Sequence, residues 1–486
     1  MSDSNFRRPR PQTSYYSNNY RSSRGSHFHW NPHFRHEENN EMEQESNQNL
    51  HATYQQSSLS SLPIASYQQH MFTSQEQFSS EHMKKSNEHQ KNIRPFHHIE
   101  NHLPYRMWSN TTDQEYFRRY HQQYFKFHLI CYNILSQTLL EDNKFLYVNC
   151  LRNNLKWYRR KDRLLRELLR QDADILCLQE MENYHYEHDI RPNLMQNGYD
   201  SIYLKRTGDK SDGCCIFYKI NRLKLIESKA VSFYQKDIRV LDRDNCGLIA
   251  LFQPISSKVS SDDIFCVATT HLLFSPKRGD IKLAQIQYFL AEIDRLATKD
   301  SYTNSYYPII LCGDFNSHPQ SPLIQFLLNQ YIKYDSYRCI EISGQTENSI
   351  IKNCFSYQLP SNELLPSSFV TSDCRLAISN NESNFQTHIN QHSSAILTHN
   401  KKFQSVYDLN NSLDITTNSG DESKLVDYIF YTQQENDPYK LNLLSRFDLY
   451  KQNQMIDIHI PNHQFASDHF LLAAKFALKL TMTNKQ

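Results

Sequence analysis

Five short strings in this 486-residue chain set hard oxygen ligands and imidazoles beside apolar runs: Leu178-Gln179-Glu180, Thr270-His271-Leu272, Gly313-Asp314-Phe315-Asn316, Val426-Asp427-Tyr428 and Ser467-Asp468-His469. A sixth apolar run closes at Asn133. A carboxylate, a carboxylate–amide pair, two imidazoles and an orienting Asp suffice to bind one hard cation, grip a phosphate and fix an attacking water. That is the chemistry of metal-dependent phosphoester hydrolysis.

Glu180 follows an apolar strand and is expected to project into the cleft above the sheet, where it suits Mg²⁺, a cation that takes few protein oxygens and keeps several waters. Asn133 ends its strand in the same way, and its amide can steer a water or a neighbouring carboxylate without adding charge. Gly313 is expected to let the chain turn abruptly, so that Asp314 and Asn316 point the same way. Asp314 then offers charge to a metal or a water proton, and Asn316 offers N–H donors to a phosphate oxygen. The plainer alternative is an Asx turn closing a strand. A lone His beside a strand is more often structural than catalytic, but the Asp468-His469 pair ahead of an apolar strand is a poor choice for packing. Asp427 is placed to orient one imidazole and favour its cation. A cationic His469 would stabilise charge developing on phosphoryl oxygens.

The elements that must position these residues are legible as apolar runs. Strands are expected at 127–132, 173–178, 214–218, 248–252, 264–269, 309–312, 425–431 and 470–476, with helices at 157–170 and 280–296. Leu164, Leu165, Leu168 and Leu169 form the apolar face of the first helix. Strands and helices mix without strict βαβ alternation, which points to an α+β fold, a two-sheet α/β sandwich with helices outside. Residues 1–120 are rich in Ser, Asn, Gln, His, Tyr and Arg with no apolar period, and read as a low-complexity, disordered tail. Interleaved Arg7, Arg8, Arg10, Tyr15, Tyr16 and Trp30 make weak RNA contact by that tail an additional reading. The catalytic unit is expected over 121–482, with a Ser/Asn/Thr-rich surface insertion near 343–400.

Lys and Arg nearly balance Asp and Glu at +1, so any nucleic-acid site must be local rather than a property of the whole chain. A mean hydropathy of −0.72 agrees with a sizeable disordered part. Of the eleven cysteines, Cys131, Cys177, Cys266 and Cys312 sit inside apolar runs, and no CxxC or zinc-type spacing occurs. That favours a reducing compartment, cytoplasm or nucleus. No apolar run approaches the ~18 residues of a membrane span, so a soluble chain without membrane association is expected.

The same residues carry a resemblance. The set Asn133, Glu180, His271, Asp314 with Asn316, Asp427, Asp468 and His469 resembles the endonuclease/exonuclease/phosphatase superfamily in its deadenylase-like branch. Further strings are similar to the Angel family: Arg206-Thr207-Gly208 with Asp212-Gly213-Cys214, Leu241-Asp242-Arg243-Asp244-Asn245, Arg278-Gly279-Asp280-Ile281-Lys282-Leu283 and Ile342-Ser343-Gly344-Gln345. The resemblance implies that Glu180 holds a catalytic Mg²⁺ (or Mn²⁺), with Asp468 and Asn133 around it. Asp314 and Asn316 would place water and a phosphate oxygen, His271 and His469 would bind the scissile phosphate, and Asp427 would orient His469. Pro276 matches a proline near the substrate base. It further implies action at RNA 3′ ends, as 3′→5′ exoribonuclease or by removing 2′,3′-cyclic phosphate.

Two departures bear on substrate. The aromatic residue that deadenylases place five positions before the Asp matching Asp427 is Glu422 here, a poor stacking platform. A Tyr-x-x-x-x-Leu-hydrophobic motif for a cap-binding factor fails at Ser60 after Tyr54 and Leu59, so that partner is not expected. Two other readings stand beside the leading one: a non-catalytic RNA-binding scaffold with a decayed nuclease domain, and another phosphodiesterase of the same fold.

Overall fold

The computed structural model describes residues 105–111, 115, 119–256, 259–300, 305–345, 357–372, 395–420, 422–433 and 440–481. The tail through residue 104, with its Arg/Tyr stretch and the Tyr54 position, lies outside them, as do 346–356 and 373–394 of the insertion.

Thirteen strands build two sheets. In chain order they are β1 (Trp108–Asn110), β2 (Tyr124–Asn133), β3 (Ile175–Glu182), β4 (Tyr199–Lys205), β5 (Asp212–Lys219), β6 (Leu223–Ser232), β7 (Cys246–Pro254), β8 (Phe265–His271), β9 (Ile309–Asp314), β10 (Phe403–Ser405), β11 (Asp427–Thr432), β12 (Leu441–Phe447) and β13 (Leu472–Lys479). The first sheet runs β1-β12-β13-β2-β3-β5-β4 and the second β10-β11-β9-β8-β7-β6. Only β2–β3 and β8–β9 pair in parallel within them, so Asn133, His271 and Asp314 all end their strands at one end of the sandwich. Helices α1 (Gln137–Asp142), α2 (Trp157–Gln171), α3 (Gly279–Ala297) and α4 (Pro322–Asn329) complete the frame. This is the expected two-sheet α+β sandwich.

Side-chain alternation decides which face each residue serves. Phe127, Leu129 and Cys131 of β2, Ile175 and Cys177 of β3, and Cys214 and Ile216 of β5 enter the core shared with the second sheet. Ile130, Tyr132, Leu176, Leu178, Cys215 and Phe217 face outward and pack on Leu164, Leu165 and Leu168 of α2. The inward parity of β2 carries Asn133 into the cleft between the sheets.

Several elements depart from the sequence reading. Trp108–Asn110 pairs with β12 at the sheet edge, inside the stretch read as tail. The helix read as amphipathic over 280–296 is α3, and it is buried nearly all round, Lys282, Gln285, Glu292 and Asp294 included. Segments from the far side cover it: Arg295 donates to the Ser368 and Val370 carbonyls, and Tyr357 to Asp280. Strand β3 does not end at Gln179-Glu180 but continues to Glu182 through a register shift between Leu178 and Met181. Gly313 makes no sharp turn. It lies within β9 at φ 143°, where an added Cβ would sit 1.9 Å from the Thr270 carbonyl oxygen.

That close approach makes Gly313→Ala a direct test of the β8–β9 contact that sets His271 beside Asp314. The substitution is expected to cost about 3 kcal/mol, because backbone rather than a flexible side chain must give way. Urea unfolding of the purified variant measures it, and a loss under about 0.5 kcal/mol would show that the strands part freely.

Candidate active site

Alternation alone would send Glu180 outward with Leu176 and Leu178. The bulge reverses it: Glu180 takes φ 57°, and Met181 recovers the outward packing. A non-glycine residue held at positive φ stores strain of order 1–3 kcal/mol, and such strain clusters at functional sites. Here it delivers the carboxylate to Asn133, whose Nδ2 donates to Glu180 Oε1 at 3.0 Å and to Asp314 Oδ2 at 3.1 Å. One amide thus joins carboxylates from both sheets. Ser136 N donates to Glu180 Oε2 at 2.9 Å, and Leu135 N to Asn133 Oδ1 at 3.1 Å.

Asp314 is buried at the register partner of Asp427. Its Oδ2 lies 3.5 Å from His271 Nε2 and 3.8 Å from His469 Nε2. Asn316, at φ 47°, donates its backbone N–H to Asp314 Oδ1 at 2.9 Å, so the Asx turn is present. The same turn sets Asn316 Nδ2 3.1 Å from His271 Nε2. Asp427 Oδ2 stands 2.8 Å from His469 Nδ1.

The environments push the titrating groups apart. Burial, then the Asp427 charge, raises Asp314 to about 7. Burial, with Arg206 nearby, depresses His271 to about 3 and keeps it neutral. Burial also opposes charge on His469, but Asp427 at hydrogen-bond distance, aided by Asp468 and Asp314, holds it well above its ordinary value. Two imidazoles, one neutral and one charged, flank a single carboxylate.

Glu180 is raised by loss of solvent and then by the charge of Asp468, so a second carboxylate lies close enough to act on it. Tyr147 donates to Asp468 Oδ2 at 2.8 Å. Asp314, Asp427 and His469 also present ligand atoms within 4.8 Å of one another, but a charged His469 paired to Asp427 has no ring lone pair to offer, so Glu180 and Asp468 are the carboxylates left to take a cation. An oxygen-rich, over-negative donor set of this kind fits a hard divalent cation.

Every sequence-read site residue except Pro276 falls in this cluster. Pro276 sits half-buried on the loop after β8, where its carbonyl accepts from Ser343 Oγ at 3.2 Å. The strings singled out at 278–283 and 342–345 prove to be supports. Lys282 Nζ and Gln345 Nε2 both donate to the Asn316 carbonyl, the second at 2.8 Å. Asn245 donates to the His271 carbonyl at 3.1 Å and is itself held by Gln285.

Sequence reasoning passed over Tyr147 and Arg160, and gave the Arg206–Asp212 pair no role. Arg160 is fully buried without a carboxylate, donating to the carbonyls of Ala466, Ile134 and Leu135 and to Gln137 Oε1. Burial pushes it down to about 10. One Arg among the five in α2 carries no mark of this. Arg206 and Asp212 close the β4–β5 hairpin, with Asp212 opposite Glu182 on β3; their shared string was the available signal.

Comparison with known proteins agrees with this geometry. The model of the Endonuclease/Exonuclease/phosphatase family matches residues 130–469. Protein angel homolog 2 of Homo sapiens is 36% identical over 393 residues, covering 73% of this chain and 70% of its own length. Protein angel of Drosophila melanogaster is 40% identical over 238 residues, 49% of this chain and 65% of its own. A solved structure of ANGEL2, a 2′,3′-cyclic phosphatase, in complex with adenosine-2′,3′-vanadate, is 36% identical at a TM-score of 0.64, and covers 78% of this chain and 100% of that one. The chain belongs to the endonuclease/exonuclease/phosphatase family, in its Angel branch. Among the described residues no helix is long and apolar enough to cross a membrane.

The Asp427–His469 pair predicts its own titration. Because the folded pKa of His469 lies above the unfolded value, the stabilisation is complete below about pH 6.5 and is lost as pH rises through the folded pKa. In EDTA, NMR should find this imidazole still protonated at pH 7.5, and Asp427→Asn should return it to the neutral form there. A His469 signal already neutral at pH 7.5 in the unsubstituted protein would refute the charge assignment.

Proposed function

We propose that this chain is a metal-dependent phosphoesterase that removes 2′,3′-cyclic phosphate from RNA 3′ ends. The observation that carries it is Asp314, a buried carboxylate raised to about 7 and set 3.5 and 3.8 Å from a neutral and a charged imidazole. A 2′,3′-cyclic phosphate exists only on a ribose with both hydroxyls, which fixes the substrate as a ribonucleotide end. The likeness to the ANGEL2 structure with its adenosine-2′,3′-vanadate supports the same class.

Glu180 and Asp468 would hold the divalent cation, Mg²⁺ or Mn²⁺, and Asn133, which donates to Glu180, would steady that carboxylate. When bound, that ion neutralises phosphate charge and makes water more acidic. The chain's own groups do the rest. Asp314, near neutral in pKa, accepts the proton of the attacking water. Asn316 and the neutral His271 hold the phosphoryl oxygens and turn phosphorus toward that water. His469, charged through Asp427, stabilises the negative charge that gathers on those oxygens. Pro276 lies against the terminal base. Complete removal consumes two waters: the first opens the ring to a monoester, and the second releases inorganic phosphate. Trimming of 3′-hydroxyl ends uses the same chemistry on an internal phosphate; Glu422 is exposed, which disfavours a stacked terminal adenine there.

The test uses two labelled RNAs, one ending in A₂₀ with a free hydroxyl and one in a 2′,3′-cyclic phosphate, with Mg²⁺ and with EDTA. Phosphate release from the second alone, abolished by EDTA, is expected; a ladder from the first at a comparable rate would make the protein an exoribonuclease instead. Asp314→Asn and His469→Ala should each lower kcat by a factor of about 10²–10³, roughly 3–4 kcal/mol of transition-state stabilisation. Near-normal turnover in either folded variant would overturn the assigned roles.

A further inference from the structure

Beyond the catalytic cleft, a cavity of about 470 Å³ opens between α2 and the β1–β12 edge of the first sheet. Four arginines line it, Arg106, Arg163, Arg166 and Arg170, against the single carboxylate Glu167. Glu167 accepts from Tyr132 at 3.2 Å and is raised by burial, which weakens its opposition. Arg163, Arg166 and Arg170 follow one another at three- and four-residue spacing, so they stand on successive turns of one helix face. Arg106 is fixed, its guanidinium 4.3 Å over the Phe447 ring. Arg163 Nε is buried with no hydrogen-bond partner, and its Nη2 donates to the Asn154 carbonyl.

We propose that this groove binds the phosphate backbone of the single-stranded RNA that lies 5′ to the reacting end. The proposal rests on the reading of the cleft as an RNA 3′-end site. Two observations favour a nucleic acid over another polyanion. Tyr105, 92% exposed, stands at the groove beside the arginines and offers a base a stacking face. The groove also reaches the segment that leads into the catalytic end: His463, Gln464 and Phe465, a few residues before Asp468 and His469, line it. From Arg163 to Arg170 the helix spans about 10 Å, room for about two phosphates of an extended strand.

The experiment compares a dinucleotide and a 12-mer, both ending in 2′,3′-cyclic phosphate, on the full chain and on the doubly substituted Arg166→Glu/Arg170→Glu protein. Both positions are exposed, and neither belongs to the catalytic cluster. In the unsubstituted protein KM for the 12-mer should be at least tenfold below that for the dinucleotide. The double substitution should raise KM for the 12-mer tenfold or more, leave kcat and KM for the dinucleotide unchanged, and reduce the salt slope of 12-mer binding by about two. Equal KM values for the two RNAs, or equal effects of the substitutions on both, would overturn the groove. Anisotropy with a labelled 3′-hydroxyl 12-mer in EDTA reads the groove without catalysis. If no RNA is hydrolysed yet the 12-mer binds and the substitutions weaken it, the reading of the cleft fails while the groove stands. Displacement of the 12-mer by a phosphopeptide at lower concentration than by unlabelled RNA would overturn the groove as an RNA site.

Discussion

A single neutral amide holds the catalytic end together. Glu180 belongs to the first sheet and Asp314 to the second, and loss of solvent raises both carboxyl groups. Asn133 Nδ2 donates to both at 3.0 and 3.1 Å. A charged donor such as Lys would also join them, but it would cancel the negative charge that a cation site requires. An Asp of the same size would accept rather than donate, and would add a third negative charge. The amide therefore fixes the spacing between sheets and preserves the electrostatics. Around it, Glu180, Asp314, Asp427 and Asp468 face one charged imidazole, and that imbalance is what a divalent ion would offset.

Such a cluster is unfavourable to fold around, and the frame beneath it is correspondingly rigid. Strain at Glu180 and at Asn316, both at positive φ, persists because neighbouring bonds over-determine each turn. Glu180 is held by Asn133 and Ser136, and the Asn316 carbonyl takes donors from Lys282 and Gln345. Lys282 is fully buried and pushed down to about 7, since its surroundings strip it of water. Its cost is borne by the continuous core that both sheets share with α3 and α4.

Most of the frame was legible because buried strands announce themselves as apolar runs. The cores of β2, β5, β8, β9 and β11 stood out, and α2 showed its leucine face. Strands with polar or exposed sides did not: β6 carries Lys224, Glu227 and Lys229 on an edge, and β12 interrupts its apolar residues with Asn442, Ser445 and Arg446. The chemical residues were legible by type and by their places at strand ends. What the sequence concealed was geometry that needs a partner strand to define it. The bulge at Glu180 exists only relative to β5, and Gly313 is required only because Thr270 approaches it. The buried helix α3 looks amphipathic until the segment around Tyr357 and Ser368 covers its polar side.

Arg160 shows how one helix serves two tasks. A buried guanidinium without a carboxylate is normally unfavourable, yet here its donors meet carbonyls from Ile134, Leu135 and Ala466. Those carbonyls belong to loops that must hold Asn133 and Asp468 still, and both loops leave strand ends where no ladder can satisfy them. Asp468 and Glu180 in turn raise the pKa of Arg160, so it stays charged where burial alone would weaken it. The next turns of α2 carry arginines to the outer groove. A displacement of this helix would move the Ala466 segment and the basic face together, so the backbone leading to Asp468 and the arginines of the groove both take their positions from α2.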